Sequence, residues 1–135
     1  MTLVDESYNA NPLSMRMALQ AMGKKKGDGE RVLILGDMLE LGDEEVRHHE
    51  ELAPIIKGLY PDRVLLCGKR MRYLWRKLQQ DAAFTSHGDW FADTTALKNA
   101  VDRWLLPGDR VLIKGSNATG LHALVEHLTH RHRCS

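Results

Sequence analysis

Apolar residues along this chain fall into two alternating patterns. Short, nearly continuous apolar runs occur at residues 3–4, 31–35, 63–67 and 110–113, with a weaker run at 83–87. Runs that lack the in-out alternation of a half-exposed strand are typical of parallel strands covered on both faces. The pattern therefore predicts a mostly parallel sheet of about five or six strands.

Between these runs, apolar residues recur at the three- and four-residue spacing of amphipathic helices. The first predicted helix begins after Asn11 as its N-cap and stops at Gly23. The second, roughly 44–57, contains Pro54 and is expected to kink or break there. Asp93 is the expected cap of the fourth. The last three carry apolar stripes at Met71, Leu74, Trp75 and Leu78, at Leu97, Val101 and Trp104, and at Leu121, Leu124, Val125 and Leu128.

Strand and helix patterns alternate along the whole length. We therefore predict one α/β domain over residues 1–135, doubly wound and Rossmann-like, with helices on both faces of the sheet. A chain of 135 residues is long enough to bury a core of its own.

The composition narrows the possible partners. Nineteen Lys and Arg against eighteen Asp and Glu leave a formal net charge of +1, which gives no electrostatic case for a nucleic-acid partner. No apolar run approaches the roughly 20 residues of a membrane span, and nothing resembles a secretory signal. We expect a cytoplasmic protein without a membrane partner.

Polar clusters follow three of the predicted strands. They are "DESYNAN" at 5–11, "GDMLELG" at 36–42 and "KGSNATG" at 114–120, and Gly68 with Lys69 forms a thinner fourth. Ligands of open parallel sheets bind beyond the carboxyl ends of the strands, where helix N-termini offer unpaired N–H groups to anions. The clusters therefore predict a site for a phosphorylated or nucleotide ligand.

The same residues have simpler explanations. Asn, Asp and Ser at strand-to-helix junctions often only cap helices and form turns, so Asp37 could be a cap and Lys114 a solvated lysine. The common phosphate-loop motifs, G-x-x-x-x-G-K-[ST] and G-x-G-x-x-G, are absent. Three clusters on one predicted edge nevertheless favour a binding site.

The histidines do not predict a metal site. "HHEE" at 48–51 lacks the H-E-x-x-H order, and His127, His130 and His132 lie at or beyond a helix end. His49 is different, because its helix follows "GDMLELG" and could bring it to the same edge as the clusters. The alternative is an exposed helix histidine, which the residues alone favour.

Three stretches together resemble a known family. "DESYNANPLSM" at 5–15, "GDMLELG" followed by His49, and "VLIKGS" at 111–116 resemble the three signature motifs of the Mur ligase C-terminal domain. The likeness covers essentially the whole chain. It is strongest to members that join D-alanyl-D-alanine to UDP-N-acetylmuramoyl-tripeptide in peptidoglycan precursor synthesis.

The resemblance implies an ATP-dependent amide ligase of three domains. Its central domain carries the phosphate loop and most ligands of the ATP phosphates and Mg²⁺, and an acyl phosphate is attacked by the incoming amine. The chain is then expected to be a fragment that works with its own N-terminal and central domains and is inert without them. Two alternatives stay open: a stand-alone, non-catalytic nucleotide- or anion-binding module, and a structural domain whose junction residues are only caps.

The resemblance also implies roles for single residues. Those expected near the adenine and ribose of ATP are Asp5, Glu6, Tyr8, Asn9 and Asn11. The second acid is Glu6 where Asp is also common in the family, so which of the two carboxylates meets the ribose stays open.

The other two motifs are expected to face the cleft between domains. Asp37 is assigned to the cofactor side, and His49 to substrate binding. Lys114 and Ser116 are expected at the reacting end, as catalytic and substrate-binding residues. After "KGS" the chain departs from many members, because it lacks an arginine and a methionine-glutamate pair.

Overall fold

Five parallel strands form one sheet in the order β1-β5-β2-β3-β4. A computed structural model of the protein describes residues 1–24 and 29–134. The strands are β1 (Thr2–Glu6), β2 (Arg31–Gly36), β3 (Arg63–Cys67), β4 (His87–Phe91) and β5 (Arg110–Lys114). The predicted parallel α/β sheet is confirmed, with five strands in the described part of the chain.

Helices cover both faces of this sheet, as predicted. They are α1 (Pro12–Lys24), α2 (Glu45–Glu50), α3 (Leu52–Leu59), α4 (Met71–Gln79), α5 (Thr94–Ala100) and α6 (Leu121–Cys134). Buried side chains of α1, α3 and α4 form one apolar cluster with the sheet, and those of α5 and α6 form another on the opposite face. The central strands β2, β3 and β5 are almost fully buried, which explains their continuous apolar runs.

The predicted second helix is divided in two. Glu51 separates α2 from α3, three residues before Pro54. A proline inside a helix clashes with the carbonyl four residues earlier, here that of Glu50. The expected break is therefore confirmed and lies just upstream of the proline.

Two predicted boundaries are wrong. The weak apolar run at 83–87 is not a strand, because Asp81 organises a turn through its bond from the Ala83 amide (2.8 Å) and β4 begins only at His87. Helix α1 does not stop at Gly23 but continues to Lys24. A Cβ at Gly23 would lie 2.5 Å from Leu59, so this glycine permits close packing of α1 on α3.

The amino ends of the strands, called the amino edge below, enclose a buried ion pair. Arg63 donates from Nη1 to Asp109 Oδ2 (2.7 Å) and from Nη2 to Asp109 Oδ1 (3.0 Å). Its Nη2 also pairs with Glu30 (2.5 Å), and its Nη1 donates to the Trp104 carbonyl. Asp109 also accepts from the Leu106 amide at 2.7 Å. The buried charges at this edge thus satisfy one another.

Candidate functional site at the carboxyl edge

The three polar clusters meet at the opposite edge of the sheet, where the strands end, called the carboxyl edge below. Strand β5 lies between β1 and β2, so Lys114 ends its strand between Glu6 of β1 and Leu35 of β2. The chain leaves β1 and β2 toward one face of the sheet and leaves β5 toward the other. Loops that diverge in this way open a crevice, the usual ligand site of such sheets.

Lys114 is buried beneath the loop that follows β1. Its side chain is 2% exposed, and its Nζ donates to the Asn9 carbonyl at 2.9 Å and lies 3.4 Å from Glu6 Oε1. The alternative of a solvated lysine is therefore wrong. The ammonium is covered by the loop after β1, so the structure brings it to Glu6 and Asn9 rather than onto an open surface.

Ser116 connects the clusters to one another. Its Oγ accepts from the Leu39 amide (3.0 Å) and lies 3.3 Å from the Ala10 carbonyl, to which it donates. Its backbone amide donates to the Asp37 carbonyl at 3.1 Å. One hydroxyl thus joins the loop after β1 to the loop after β2, and it belongs to the loop after β5.

Asp37 caps a helix that begins 34 residues later. Its Oδ1 accepts from the Met71 amide (2.9 Å), and its Oδ2 accepts from the Arg70 amide and guanidinium, both at 3.3 Å. Gly68 must be a glycine here, since its φ is +115° and a Cβ would lie 2.3 Å from Asp37 Oδ1. The capping alternative therefore holds for Asp37, though its helix is α4 and not the next turn.

His49 is fully buried and supports the loop after β2 from inside. Its Nε2 accepts from the Met38 amide at 3.0 Å, while Nδ1–H donates to the Glu45 carbonyl at 2.6 Å. Burial lowers the pKa of His49, so the neutral ring is favoured. Two expectations need correction: His49 is not an exposed helix residue, and both ring nitrogens are occupied, which leaves neither for the expected substrate contact.

Two of the five residues expected near the nucleotide each use one side-chain oxygen in local hydrogen bonds. Asn11 Oδ1 accepts from the Ser14 amide (2.8 Å), so Asn11 caps α1 as predicted. Asp5 Oδ1 accepts from the amide (3.0 Å) and hydroxyl (2.6 Å) of Ser7. Both bonds shape the loop that follows β1.

The other three leave their side chains exposed or partly exposed. The Tyr8 ring is 66% exposed, and Asn9 is exposed beside it. Glu6 is part-buried at the end of β1, next to the Lys114 ammonium. An aromatic ring, an amide and a carboxylate therefore lie together at the end of β1 and in the loop that follows it.

A recess of about 300 Å³ lies on the other side of the loop that follows β2. Its lining carries charges of both signs on Asp37, Lys69, Arg70 and Asp93, together with the hydroxyls of Thr94 and Thr119. Lys69 belongs to the thin fourth cluster of the sequence. Asp93 and Thr94 follow β4. Asp93 was expected only to cap a helix, because placing the strand at 83–87 hid that residue 93 lies at this edge.

Cys67 lines the recess as an unreactive thiol. Burial raises the pKa of the Cys67 thiol to about 11. A contact of 3.7 Å with the Thr94 hydroxyl acts in the opposite direction but is the weaker effect. A thiol with so high a pKa carries little thiolate at neutral pH. Cys67 therefore contributes shape rather than nucleophilic chemistry.

Comparison with known proteins decides the family. The sequence profile of the family described as "Mur ligase, glutamate ligase domain" matches residues 1–117. The chain belongs to the Mur ligases. Among similar members are UDP-N-acetylmuramoyl-tripeptide–D-alanyl-D-alanine ligases of Bacillus subtilis (33% identical over 132 residues) and Escherichia coli (34% identical over 135 residues).

Solved Mur ligase structures share the fold. A MurF from Acinetobacter baumannii matches with a TM-score of 0.76 and 25% identity, over 93% of this chain and 27% of its own. A MurF ligase from Thermotoga maritima, solved in complex with ADP, matches with a TM-score of 0.71 and 22% identity. The matches to the two sequence relatives cover 95% and 98% of this chain but only 28% of the length of each relative.

Two kinds of feature are absent from the described residues. No helix there is long and apolar enough to cross a membrane. No three His, Cys, Asp or Glu side chains of residues 1–24 and 29–134 converge in a way that could hold a metal ion.

Proposed function

We propose that this chain forms one wall of the active site of an ATP-dependent ligase that adds D-alanyl-D-alanine to UDP-N-acetylmuramoyl-tripeptide. The observation that carries this proposal is the convergence of the three motifs on the carboxyl edge, locked together through Ser116. Catalysis then needs the N-terminal and central domains of the same protein. A nucleotide-linked substrate and ATP both suit a cytoplasmic location.

The loop after β1 is the proposed nucleotide wall. The residues present fit an adenosine, since the exposed ring of Tyr8 can stack on a base and the Asn9 amide can both donate and accept. The Glu6 carboxylate, and the Asp5 oxygen Oδ2 that does not bond to Ser7, can accept from ribose hydroxyls. ATP supplies the activation of the tripeptide carboxylate, while these residues bind and orient its nucleoside end.

The phosphates and Mg²⁺ are assigned to the central domain. The described residues contain neither a phosphate-loop motif nor a cluster of metal-binding side chains. In this proposal the chain holds the nucleoside end of ATP, and the central domain holds the triphosphate.

The recess is the proposed site of the dipeptide. D-Alanyl-D-alanine carries a carboxylate and an amino group at opposite ends, with two methyl groups between them. Lys69 and Asp93 offer the opposite charges, and the apolar part of the lining includes Leu39 and Ala118. A volume of about 300 Å³ is at the small end for a ligand pocket, which suits a dipeptide.

Lys114 and Ser116 are proposed to act between these two subsites. Because the Lys114 ammonium lies under the loop after β1, we assign it the positioning of Glu6 and Asn9 rather than contact with the reacting atoms. Ser116 holds the two walls at a fixed separation. His49 is likewise a positioning residue, since it fixes Met38.

Steady-state kinetics of the full-length ligase test both subsites. Lys69→Gln should raise the KM for D-alanyl-D-alanine at least tenfold, about 1.4 kcal/mol, with the KM for ATP unchanged. Tyr8→Ala should do the reverse, since stacking on a base is worth about 1–3 kcal/mol. Arg76→Gln, an exposed change on α4, is the control. Unchanged Michaelis constants in both variants would refute this assignment.

Lys114→Met separates positioning from direct catalysis. If Lys114 positions the nucleotide wall, the KM for ATP should rise more than kcat falls. If it stabilises the transition state directly, kcat should fall by about 10²–10³ with little change in KM. Thermal unfolding of the variant establishes that it is folded at the assay temperature.

A further inference from the structure

One arginine outside the three motifs joins the loop after β2 to the helices behind it. Arg70 immediately precedes α4 and is about one-third exposed. Its Nε lies 2.5 Å from Glu45 Oε2 on α2, and its Nη1 lies 3.3 Å from Asp37 Oδ2. We infer that Arg70 is a positioning residue that fixes the loop over residues 37–42, the partition between the two proposed subsites.

The contacts of Arg70 argue against a role as the ligand's carboxylate receptor. Two carboxylates, those of Asp37 and Glu45, already share its single positive charge. A further carboxylate would therefore meet a local excess of negative charge. Lys69, which is exposed and lines the same recess, is the better partner for a ligand anion.

Arg70 also reaches the loop through α2. Glu45, its second partner, is the first residue of that helix, and the Glu45 carbonyl accepts from His49 Nδ1–H. His49 in turn holds the Met38 amide. The loop is thus held at two adjacent residues, at Asp37 by the start of α4 and at Met38 by α2, and Arg70 links these two supports.

Amide exchange of this 135-residue chain tests the positioning role without any assay of activity. In Arg70→Gln the Met38 amide should exchange faster by about fivefold, which corresponds to the loss of a part-exposed ion-pair arrangement worth roughly 1 kcal/mol. Glu45→Gln removes one arm only and should show a smaller change in the same direction. Arg76→Gln, on the exposed face of α4, should leave Met38 unchanged.

Unchanged exchange of Met38 in both Arg70→Gln and Glu45→Gln would overturn the inference. Glu45→Gln also keeps the test decisive if Arg70→Gln fails to fold, because Glu45 lies partly exposed and its loss leaves Asp37 paired. Arg70→Lys keeps the charge but cannot reach both carboxylates with a planar fork. It should therefore restore exchange only in part, and complete rescue would show that the bridging geometry is irrelevant.

The consequence for catalysis rests on the proposed function. In the full-length ligase, Arg70→Gln should raise the Michaelis constants of both ATP and D-alanyl-D-alanine, because the partition borders both subsites, whereas Lys69→Gln affects the dipeptide alone. Faster Met38 exchange without any kinetic change would uphold the positioning role and refute the assignment of the subsites. A rise for the dipeptide alone, with Met38 exchange unchanged, would make Arg70 a ligand contact and overturn the inference.

Discussion

The two edges of this sheet both bury charged groups but use them differently. At the amino edge, Arg63 and Asp109 form a bidentate ion pair, and Glu30 also pairs with Arg63. The charged side chains at this edge therefore bind mainly to one another. At the carboxyl edge, the buried polar groups hold loop backbone: Lys114 binds the Asn9 carbonyl and His49 the Met38 amide. The same kind of burial therefore stabilises the fold at one edge and shapes a site at the other.

This difference separates the residues that support the site from those that contact a ligand. Lys114, His49, Ser116 and Asp37 are committed to loop backbone and helix starts, which leaves the more exposed side chains of the edge for chemistry. Buried groups with satisfied hydrogen bonds hold one geometry firmly. Under the proposed function another domain completes the site, and such a site needs one wall already in place.

The largest expected effect is at the amino edge. Asp109→Ala should lower the free energy of unfolding of this chain by about 3–5 kcal/mol, because it leaves the Arg63 guanidinium buried without its main partner. Urea unfolding measures this loss. Thr95→Ala, an exposed change on α5, is the control, and a loss below about 1 kcal/mol would mean that the pair is not structurally important.

At the carboxyl edge, Ser116→Ala should lower the free energy of unfolding less than Asp109→Ala does, but it should impair substrate binding more. Loss of the hydroxyl leaves the Leu39 amide without its acceptor, which costs about 1–3 kcal/mol. In the full-length ligase the same variant should raise the Michaelis constants of ATP and of the dipeptide together. A full stability loss with unaltered kinetics would show that the contact between the loops is structural only.

The sequence predicted the outline of the fold because apolar runs and helix caps are recognised from residues close together in the chain. Continuous apolar runs identify β2, β3 and β5, and Asn11 and Asp93 cap α1 and α5 as expected. The strand at 87–91 was misplaced because it is an edge strand with few apolar residues, of which Trp90 and Phe91 are only partly buried. Its neighbour Phe84 packs on the core from the preceding loop.

The support of the site depends on contacts distant in sequence. Asp37 binds residues 33 and 34 positions later, Ser116 binds Leu39 across 77 positions, and Lys114 binds Asn9 across 105. Spacing along the chain carries no sign of such pairs. The motifs therefore predicted which edge of the sheet holds the candidate site, but not which of its side chains are buried.

His49 gives the carboxyl edge a pH dependence. Its pKa is lowered in the fold, so as pH falls below about 6.5 the unfolded chain takes up the proton first. The stability contributed by neutral His49 is therefore complete above about pH 6.5 and is lost as pH falls. A protonated ring would also set Nε2–H against the Met38 amide, two donors facing each other.

Urea unfolding of the wild-type chain and His49→Gln at pH 7.5 and pH 5.5 measures this effect. The wild-type chain should lose more stability between the two values than the variant does. Equal losses would mean that His49 is not titrating in this range.

The smallest expected effect concerns the cap of α1. Asn11→Ala should lower stability by about 1 kcal/mol, the usual cost of losing an N-cap. Asn99→Ala, an exposed change on α5, should have little effect. If Asn11→Ala raised the KM for ATP of the full-length ligase much more than tenfold, the loss of the helix cap would not explain the change. Asn11 would then be a nucleotide contact.

The two edges also offer competing cavities, and the larger one lies away from the motifs. A cavity of about 540 Å³ near the amino ends of β3 and β4 is lined in part by Lys57, Tyr60, Phe84 and His87. Size alone would make it the ligand site. We assign the ligands instead to the carboxyl edge, because that is where the motifs meet.

Titration of this 135-residue chain with ATP, followed residue by residue by NMR, tests that central claim most directly. We predict shifts at Tyr8, Asn9 and their neighbours, with a dissociation constant near millimolar or weaker, about 4 kcal/mol of binding free energy, because a wall without the phosphate-binding domain leaves much of the ligand in water. No phosphate should be released when the dipeptide and the tripeptide nucleotide are added. Shifts confined to the cavity lined by Tyr60 and Phe84, or micromolar binding with turnover, would contradict the assignment of the nucleotide to the carboxyl edge of an incomplete site.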